Sequence, residues 1–469
     1  PRVAAKVWWH REYPNRPHPQ GTFRTQWEVT TTMTAAVVSQ RTLASELPAK
    51  AGEPVTLQGW VHRRRRLASV TFVVLRDRTG LAQIVVREPQ AVAQIEELGE
   101  ETVVQVTGQA VANEQAPGGV EVVDPAFTPL TDPAATPPIE LWRPSLTASL
   151  PTMLDNAAVT LRHPVARAPF EIASAAVAGF RQALTGLAFT EIQTPKIVES
   201  ATESGANVFA LDYFGRPAYL AQSPQFYKQM MVGVFERVFE VGPVFRAEPH
   251  DTVRHLAEYV SLDAEFGFIH DHRDVIAVVR EVVAAMVAAV RAQASPAVER
   301  LGVTVPDVPS EIPVIHFSDV LKLVGAPEDE PDLAPAHERA VGEWARAEHG
   351  SDFAFVVGYP TAKRAFYTHP QTYPTVEPKW SNSFDLIFRG LELVTGGQRL
   401  HRYGDYLAVL EERGLPLEPF ASYVDTFKYG MPPHGGFAFG LERFVARLIE
   451  AENVRQVTLF PRDLHRLAP

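Results

Sequence analysis

Gly435-Gly436-Phe437-Ala438-Phe439-Gly440-Leu441-Glu442-Arg443, followed at once by the amphipathic run Phe444 to Ala451, is the stretch on which the reading of this chain turns. Taken locally, it predicts a glycine-rich turn that delivers one arginine at the mouth of a helix. Backbone N–H groups and a planar guanidinium can converge there on one phosphate. The same glycines would equally serve close helix-to-strand packing. A second arginine stretch shifts the balance: Phe245-Arg246-Ala247-Glu248, then Arg254-His255-Leu256-Ala257-Glu258, in a strand–loop–strand setting. Together the two stretches predict a nucleotide site.

The rest of the chain limits what that site can belong to. With 469 residues, 46% hydrophobic and 21% charged, there is room for two or three globular domains. No cysteine occurs, which excludes disulfides, thiolate metal sites and cysteine nucleophiles. A net charge of −11 argues against a simple basic coat protein for nucleic acid, although a local basic face can still bind RNA. Nothing approaches the ~20 apolar residues of a membrane span, and residues 1–33 lack a signal-peptide core. Those residues read as a disordered extension, and the chain as cytoplasmic.

From Val55 the pattern turns to short strands: Val55 to His62, Val70 to Arg76, Leu81 to Arg87, Thr102 to Ala110 and Gly119 to Val123. Five such strands predict a small OB-fold barrel able to hold single-stranded nucleic acid. Arg63-Arg64-Arg65-Arg66 is expected in the loop after the first strand, and Phe72 on the next strand as a base-stacking ring. The plainer reading is a solvated charged loop and a core phenylalanine. Prolines 125, 129, 133, 137, 138 and 144 then predict a stiff linker. Beyond it, helix Pro169 to Leu187 precedes a strand Phe189 to Pro195. Further strands are expected at Ala218–Leu220, Val238–Phe245, Ala257–Phe268, Phe353–Tyr359, Phe384–Leu393 and Phe437–Phe439, with a buried packing helix at Asp274–Ala292. The irregular alternation favours an α+β antiparallel sheet flanked by helices. The expected division is 1–33 extension, 34–135 OB-fold, 136–165 linker and 166–469 catalytic domain.

Over roughly residues 40–469 the chain resembles the class II aminoacyl-tRNA synthetases, and among them the aspartyl-tRNA synthetases of the compact archaeal type. Phe189 to Pro195 is similar to motif 1, whose proline sits at a dimer interface; Phe245 to Glu258 resembles motif 2, and Gly435 to Arg443 motif 3. The resemblance implies an anticodon-binding OB-fold, a catalytic antiparallel sheet and a homodimer. Only a modest insertion, around Val303 to Thr375, separates motifs 2 and 3. The implied reaction joins aspartate to ATP as aspartyl-adenylate, then passes it to tRNA.

No Walker-type phosphate loop is present, so the phosphates of the substrate ATP must be held by arginine forks and Mg2+. The resemblance gives Arg246, Arg443 and Glu392 the catalytic roles. Glu248, Arg254, His255, Leu256, Gly440, Leu441 and Glu442 join them around ATP. Glu392 and Thr395 would be the magnesium ligands, with Thr395 standing where most members have serine, and Asp385 would orient the metal's waters. For aspartate it implies Glu203, Gln225, Lys228, Arg246, Thr395 and Arg399. A lysine and an arginine aimed at one pocket favour a carboxylate over an amide.

Discrimination between tRNA-Asp and tRNA-Asn falls to the OB-fold. Family members that discriminate carry a tryptophan at the end of the first strand and a lysine in the last loop. Here His62 and Pro117 stand at those places. Charging of both tRNAs is expected, with an amidotransferase partner that repairs the misacylated product. The alternatives are a strictly tRNA-Asp-specific ligase, an enzyme forming free asparagine, and a non-catalytic OB-fold binder.

Overall fold

The computed structural model describes residues 41–199, 208–247, 249, 252–371 and 377–469. The extension 1–33 and the expected site residues Glu203 and Glu248 lie outside the described residues. The chain divides into two compact units, Pro1–Thr136 and Pro137–Pro469.

In the first unit, β1 (Pro54–Arg66), β2 (Thr71–Arg76) and β3 (Leu81–Val86) lead through α1 (Pro89–Glu97) to β4 (Val103–Ala112) and β5 (Val120–Pro129). They close a five-stranded barrel in the order β1-β2-β3-β5-β4, the architecture expected. Alternation explains the closure. Val55, Leu57 and Val61 of β1 point inward with Val73, Leu75, Val104 and Val106, while the intervening residues face out. Phe72 is half-buried on the outer face, not a core residue, and pairs across β1 with exposed Arg65.

Three expectations are corrected here. Arg63–Arg66 continue β1 instead of forming a loop, so the strand does not end at His62. Arg64 and Arg66 reach α1 instead of solvent alone: Arg64 donates to the Ile95 carbonyl at 2.8 Å, and Arg66 pairs with Glu96. Pro125 and Pro129 lie inside β5, because a bulge opposite Gly108, with Asp124 at φ 50°, takes Pro125 out of the hydrogen-bond ladder.

The second unit begins with α2 (Leu150–Asp155) and α3 (Ala157–Thr160), within the stretch read as linker, and continues into α4 (Pro164–Gly186). Then come β6 (Thr190–Glu191), β7 (Ile197–Val198), β8 (Ala210–Tyr213), β9 (Arg216–Leu220), α5 (Gln225–Phe235), β10 (Arg237–Phe245) and β11 (Glu258–Gly267). After α6 (His272–Gln293) and α7 (Ser295–Leu301), the inserted segment supplies β12 (Val314–His316), α8 (Phe317–Val324), α9 (Pro335–His349), β13 (Phe353–Val357), β14 (Pro370–Gln371) and β15 (Glu377–Ser381). The chain closes with β16 (Ser383–Phe388), β17 (Leu391–Gln398), α10 (Tyr403–Glu412), α11 (Ala421–Thr426), β18 (His434–Gly440) and α12 (Leu441–Leu448).

Eight strands form one sheet, β12-β13-β16-β17-β18-β11-β10-β6, antiparallel except at its two outermost pairs. The expected strand Phe384–Leu393 is a hairpin, because Arg389 and Gly390 turn the chain at φ 47° and 73°. The expected strand Phe189–Pro195 shrinks to two residues, ahead of Pro195. The glycine-rich stretch is the central strand β18, and not a turn. Its glycines serve close approach: a Cβ on Gly436 would meet the Ala264 carbonyl and the Glu265 carboxylate at 2.1 Å each.

Register sorts the sheet into two faces. Phe239, Leu262, Ala264, Phe437, Phe439, Val394, Phe384 and Leu386 share one face and build the main core with α4, α6 and α12. The other face carries Ser261, Asp263, Glu265, Gly436, Ala438, Gly440, Thr395, Gly397 and Asp385. Two smaller cores flank that polar strip. One gathers Phe226, Phe366, Tyr406 and Tyr423 around α5, α10 and α11; the other gathers Phe317, Val341 and Trp380 around α8 and α9. Among the described residues no helix is long and apolar enough to cross a membrane.

Candidate active site

A cleft opens along one end of the polar face, lined by Arg246, Arg254, His255, Leu256, Glu392, Thr395, Gly440, Glu442 and Arg443. These nine positions were singled out in the sequence, and the fold brings them together from the β10–β11 loop, β17, β18 and α12. Leu441 turns its side chain into the main core instead. Tyr259 and Ser261, not singled out, line the cleft as well, with the Arg246 guanidinium 5.7 Å from the Tyr259 ring centre.

Local bonds shape the cleft. Thr252 Oγ1 and His255 Nδ1 lie 2.7 Å apart, and the Arg254 N–H donates to the same hydroxyl. Both Glu442 carboxylate oxygens accept from the Val260 N–H at 3.1 Å. Burial pushes the Glu442 carboxyl up to about 7 even so. Arg443, from the first turn of α12, reaches Glu392 Oε1 at 3.6 Å and the Glu392 carbonyl at 3.4 Å. Its neighbour Thr395 donates to Glu392 Oε1 at 3.0 Å. Loss of water around Glu392 opposes ionisation, but Arg443, with Arg364 and Arg246, holds its carboxyl below the ordinary range. Asp385, opposite Thr395 in register, accepts from Arg364 at 2.8 Å, and burial pushes it up to about 6.

Farther along the same face lie the two cations expected around aspartate. Lys228, 1% exposed on α5, donates to Asp263 Oδ1 at 2.9 Å and to the Phe437 carbonyl at 3.1 Å. Arg399, just past β17, donates to Glu265 Oε1 at 2.9 Å and to the Gly436 carbonyl at 3.0 Å. Each already has a buried acid partner, because β11 presents Asp263 and Glu265 to the same face. The bare backbone at Gly436 lets the Glu265 carboxylate lie across β18 toward Arg399. The signal was present as Leu262-Asp263-Ala264-Glu265-Phe266, two acids at strand period in an apolar run. Gln225, at the start of α5, is buried, and its Nε2 has no hydrogen-bond partner among the described residues.

In the barrel, His62 occupies the bulge between Val61 and Arg63, which turns it inward to 7% exposure. Its Nδ1 lies 3.4 Å from Arg76 Nη1, and Arg76 makes a buried two-pronged ion pair with Glu101 at 2.8 and 2.6 Å. Pro117 is exposed at the β4–β5 loop, where Gly118 and Gly119 have positive φ.

Comparison with known proteins agrees with this geometry. The family described as tRNA synthetases class II (D, K and N) matches residues 149–464, and the OB-fold nucleic acid binding domain matches residues 55–130. An aspartate–tRNA(Asp/Asn) ligase of Deinococcus radiodurans is 46% identical over 92% of this chain and 99% of its own length. The protein of that name from Thermus thermophilus is 43% identical over 92% and 100%. Among solved structures, asparaginyl-tRNA synthetase from Pyrococcus horikoshii, complexed with asparaginyl-adenylate, aligns with a TM-score of 0.85 at 30% identity, covering 92% of this chain and all of that one. The aspartyl-tRNA synthetase from Entamoeba histolytica aligns at 0.80 and 28% identity, over 92% and 93%.

Proposed function

The chain belongs to the class II tRNA synthetases of the D, K and N group, and from that premise we propose that it is an aspartate–tRNA ligase charging both tRNA-Asp and tRNA-Asn. One observation carries the choice of amino acid. A single sheet face joins an arginine-lined cleft to a buried, acid-braced lysine–arginine pair. The structural neighbours include both asparaginyl and aspartyl enzymes, so the pocket must decide between them. Lys228 and Arg399 offer only N–H donors, which suit the two oxygens of a side-chain carboxylate and leave the NH2 of an amide without an acceptor from either. Asp263 and Glu265 hold those donors in place. Gln225 Nε2 supplies one more buried donor.

The first step needs no general base, because the α-carboxylate of aspartate is ionised far above its pKa of ~3.5. One of its oxygens attacks the α-phosphorus of ATP; the bond to the bridging oxygen breaks, and pyrophosphate leaves. Arg246 would neutralise the approaching carboxylate and the α-phosphate, and Arg443 the γ-phosphate end. His255 and Leu256 would hold the adenine. Glu392 and Thr395 place two hard oxygens side by side at the rim of the cleft, a donor set that fits magnesium, which keeps several waters. Among the described residues no cluster of three His, Cys, Asp or Glu offers a different metal site. When bound there, the ion would supply positive charge to the phosphates. In the second step the terminal 3′-hydroxyl of tRNA attacks the anhydride carbonyl, and AMP leaves. The product is an aspartyl ester.

The relaxed tRNA choice rests on the barrel. His62 and Pro117 stand where discriminating members have tryptophan and lysine, and a single base contact is worth only ~1–3 kcal/mol. The Asp/Asn name of the relatives supports this reading. The family resemblance supports a homodimer; apolar Ile197, Tyr213 and Phe214, 48%, 39% and 90% exposed near Pro195, suit such an interface. An amidotransferase and a cytoplasmic setting complete the proposal.

Two assays test it. Pyrophosphate exchange into ATP should depend on aspartate and not asparagine; exchange without transfer to tRNA would favour an amide-forming enzyme, and no exchange a binding module. Transcripts of both tRNAs should be charged with aspartate. A preference for tRNA-Asp above roughly 10³ in kcat/KM, more than a single base contact supplies, would overturn the relaxed reading.

A further inference from the structure

We propose that Glu338, on helix α9 of the inserted segment, is a positioning residue that aims Glu392 and Thr395 at the phosphate-bound cation. The proposal rests on the reading of those two residues as the magnesium ligands, and three observations of the chain carry it. First, the pairing of β16 with β17 slips by one residue, from Leu386↔Val394 to Ile387↔Glu392, so a bulge sits where the strand presents Glu392. Bulges re-aim side chains and leave a backbone group outside the ladder. Second, the Glu392 N–H donates to Glu338 Oε2 at 2.9 Å, 54 positions away in sequence, while the Glu392 carbonyl is reached by Arg443. Side chains thus hold both polar groups of this residue's backbone. Glu338 is 8% exposed and lies in the first turn of its helix, which favours a carboxylate.

Third, α9 is docked on the hairpin backbone-to-backbone. A Cβ on Gly342 would meet the Gly390 nitrogen at 2.6 Å and its Cα at 2.8 Å, and a Cβ on Gly390 would meet the Arg339 Cα at 3.0 Å. Only glycine at both positions allows that approach, and the approach brings Glu338 within reach of Glu392. Gly390 also has a φ of 73°, in the left-handed region. The inserted segment, with its own small core around Phe317, Val341 and Trp380, therefore acts as a brace for the phosphate end of the cleft.

The test uses the full-length enzyme and two readouts other than turnover. Amide hydrogen exchange at Leu391–Thr395, without nucleotide or metal, reports the Glu392 N–H. Calorimetric ATP binding, in chelator and in magnesium, reports the affinity gained from the metal. Glu338→Ala should speed exchange at least tenfold and cut the magnesium-dependent gain about tenfold, the scale of losing an outer-shell contact, while binding in chelator stays within twofold. Glu338→Gln keeps an accepting oxygen and should match the parent in both readouts. Gly342→Ala should reproduce Glu338→Ala by lifting the helix, and these last two variants decide the matter if Glu338→Ala does not fold. Unchanged exchange in Glu338→Ala, equal loss of ATP affinity with and without magnesium, or a glutamine variant as damaged as alanine would each overturn the proposal. A parent enzyme whose ATP affinity ignores magnesium would overturn the metal reading and this one with it. A responsive parent matched by Glu338→Ala overturns this one alone.

Discussion

The two ends of the polar face solve opposite electrostatic problems. At the end proposed to hold the nucleotide, the Arg443 and Glu392 side chains are 32% and 38% exposed and stand 3.6 Å apart, a loose pair in partial contact with solvent. At the end proposed to hold the amino acid, Lys228–Asp263 and Arg399–Glu265 close to 2.9 Å, and all four side chains are less than a tenth exposed. The first end can attract a polyphosphate because its cations are lightly held. The second cannot attract by excess charge, since two cations and two carboxylates cancel. In the proposed function it selects by geometry, with donors fixed in direction by buried acids.

The largest test of this contrast removes a cation from the closed end. Among the described residues, Lys228→Leu leaves Asp263 with only the Ser261 hydroxyl, at 2.5 Å, as a side-chain hydrogen-bond partner. It should cost about 3–5 kcal/mol of stability, besides abolishing most aspartate-dependent exchange. Urea unfolding and exchange kinetics measure the two losses. Replacing both partners, as Lys228→Met with Asp263→Leu, should return much of the stability and none of the activity. If the single variant is as stable as the parent, the pair is not a closed frame.

The matching cut at the open end is Arg443→Ala. A one-third exposed, loosely paired arginine contributes under ~1 kcal/mol to folding, so the unfolding midpoint should barely move. Its worth lies in charge-assisted bonds to phosphate, and kcat/KM for ATP should fall about 10²-fold. A stability loss equal to that of Lys228→Leu would erase the distinction between the ends.

What could be read from the chain follows the same division. The open end was legible because its groups are delivered by local stretches: Arg246 at the end of a strand, Arg443 at the start of a helix, Glu392 and Thr395 three residues apart. The closed end was half legible. Lys228 and Arg399 stood out through the resemblance, yet their partners looked like ordinary strand acids until the register put Asp263 and Glu265 on the same face. The strand at Phe437–Phe439 was legible, but the glycines on either side of it were misread as a turn because glycine is permitted both where φ is positive and where a neighbour crosses close, and only the fold tells which. Arg63–Arg66 was misread as a loop because four charges in a row mask the alternation that continues β1. Glu338 had no local signal at all, because its contact is made by a bulge and a helix dock far along the chain.

Glu442 lines the open cleft yet is only 7% exposed, so its titration asks whether burial or location decides. Burial raises its carboxyl from 4.5 to about 7 in the folded chain. The folded state therefore holds a proton that the unfolded state has lost between those values, and stability falls as pH rises through that window. Glu442→Gln keeps an acceptor for the Val260 N–H without the charge. Relative to the parent it should be unchanged at pH 4 and more stable by roughly 3 kcal/mol at pH 8. Thermal unfolding at the two pH values checks this, and an equal difference at both would show that the carboxyl behaves as an exposed one.

The smallest expected effect comes from Thr395, where the chain departs from the serine common in the family. Thr395 is exposed on β17, opposite Ala438 and Asp385, and its hydroxyl donates to Glu392 Oε1 at 3.0 Å. The hydroxyl is what a hard cation or a phosphate would use, and the extra methyl only suits a strand. Thr395→Ser should therefore keep ATP use within about threefold and lower stability by a few tenths of a kcal/mol. Thr395→Val keeps the branched shape and deletes the oxygen. It frees Glu392 from its fixed neighbour, and the magnesium needed for half-maximal exchange should rise about tenfold. If valine is tolerated as well as serine, Glu392 is held by the backbone contacts of Glu338 and Arg443 alone, and the open end is more rigid than its exposure indicates.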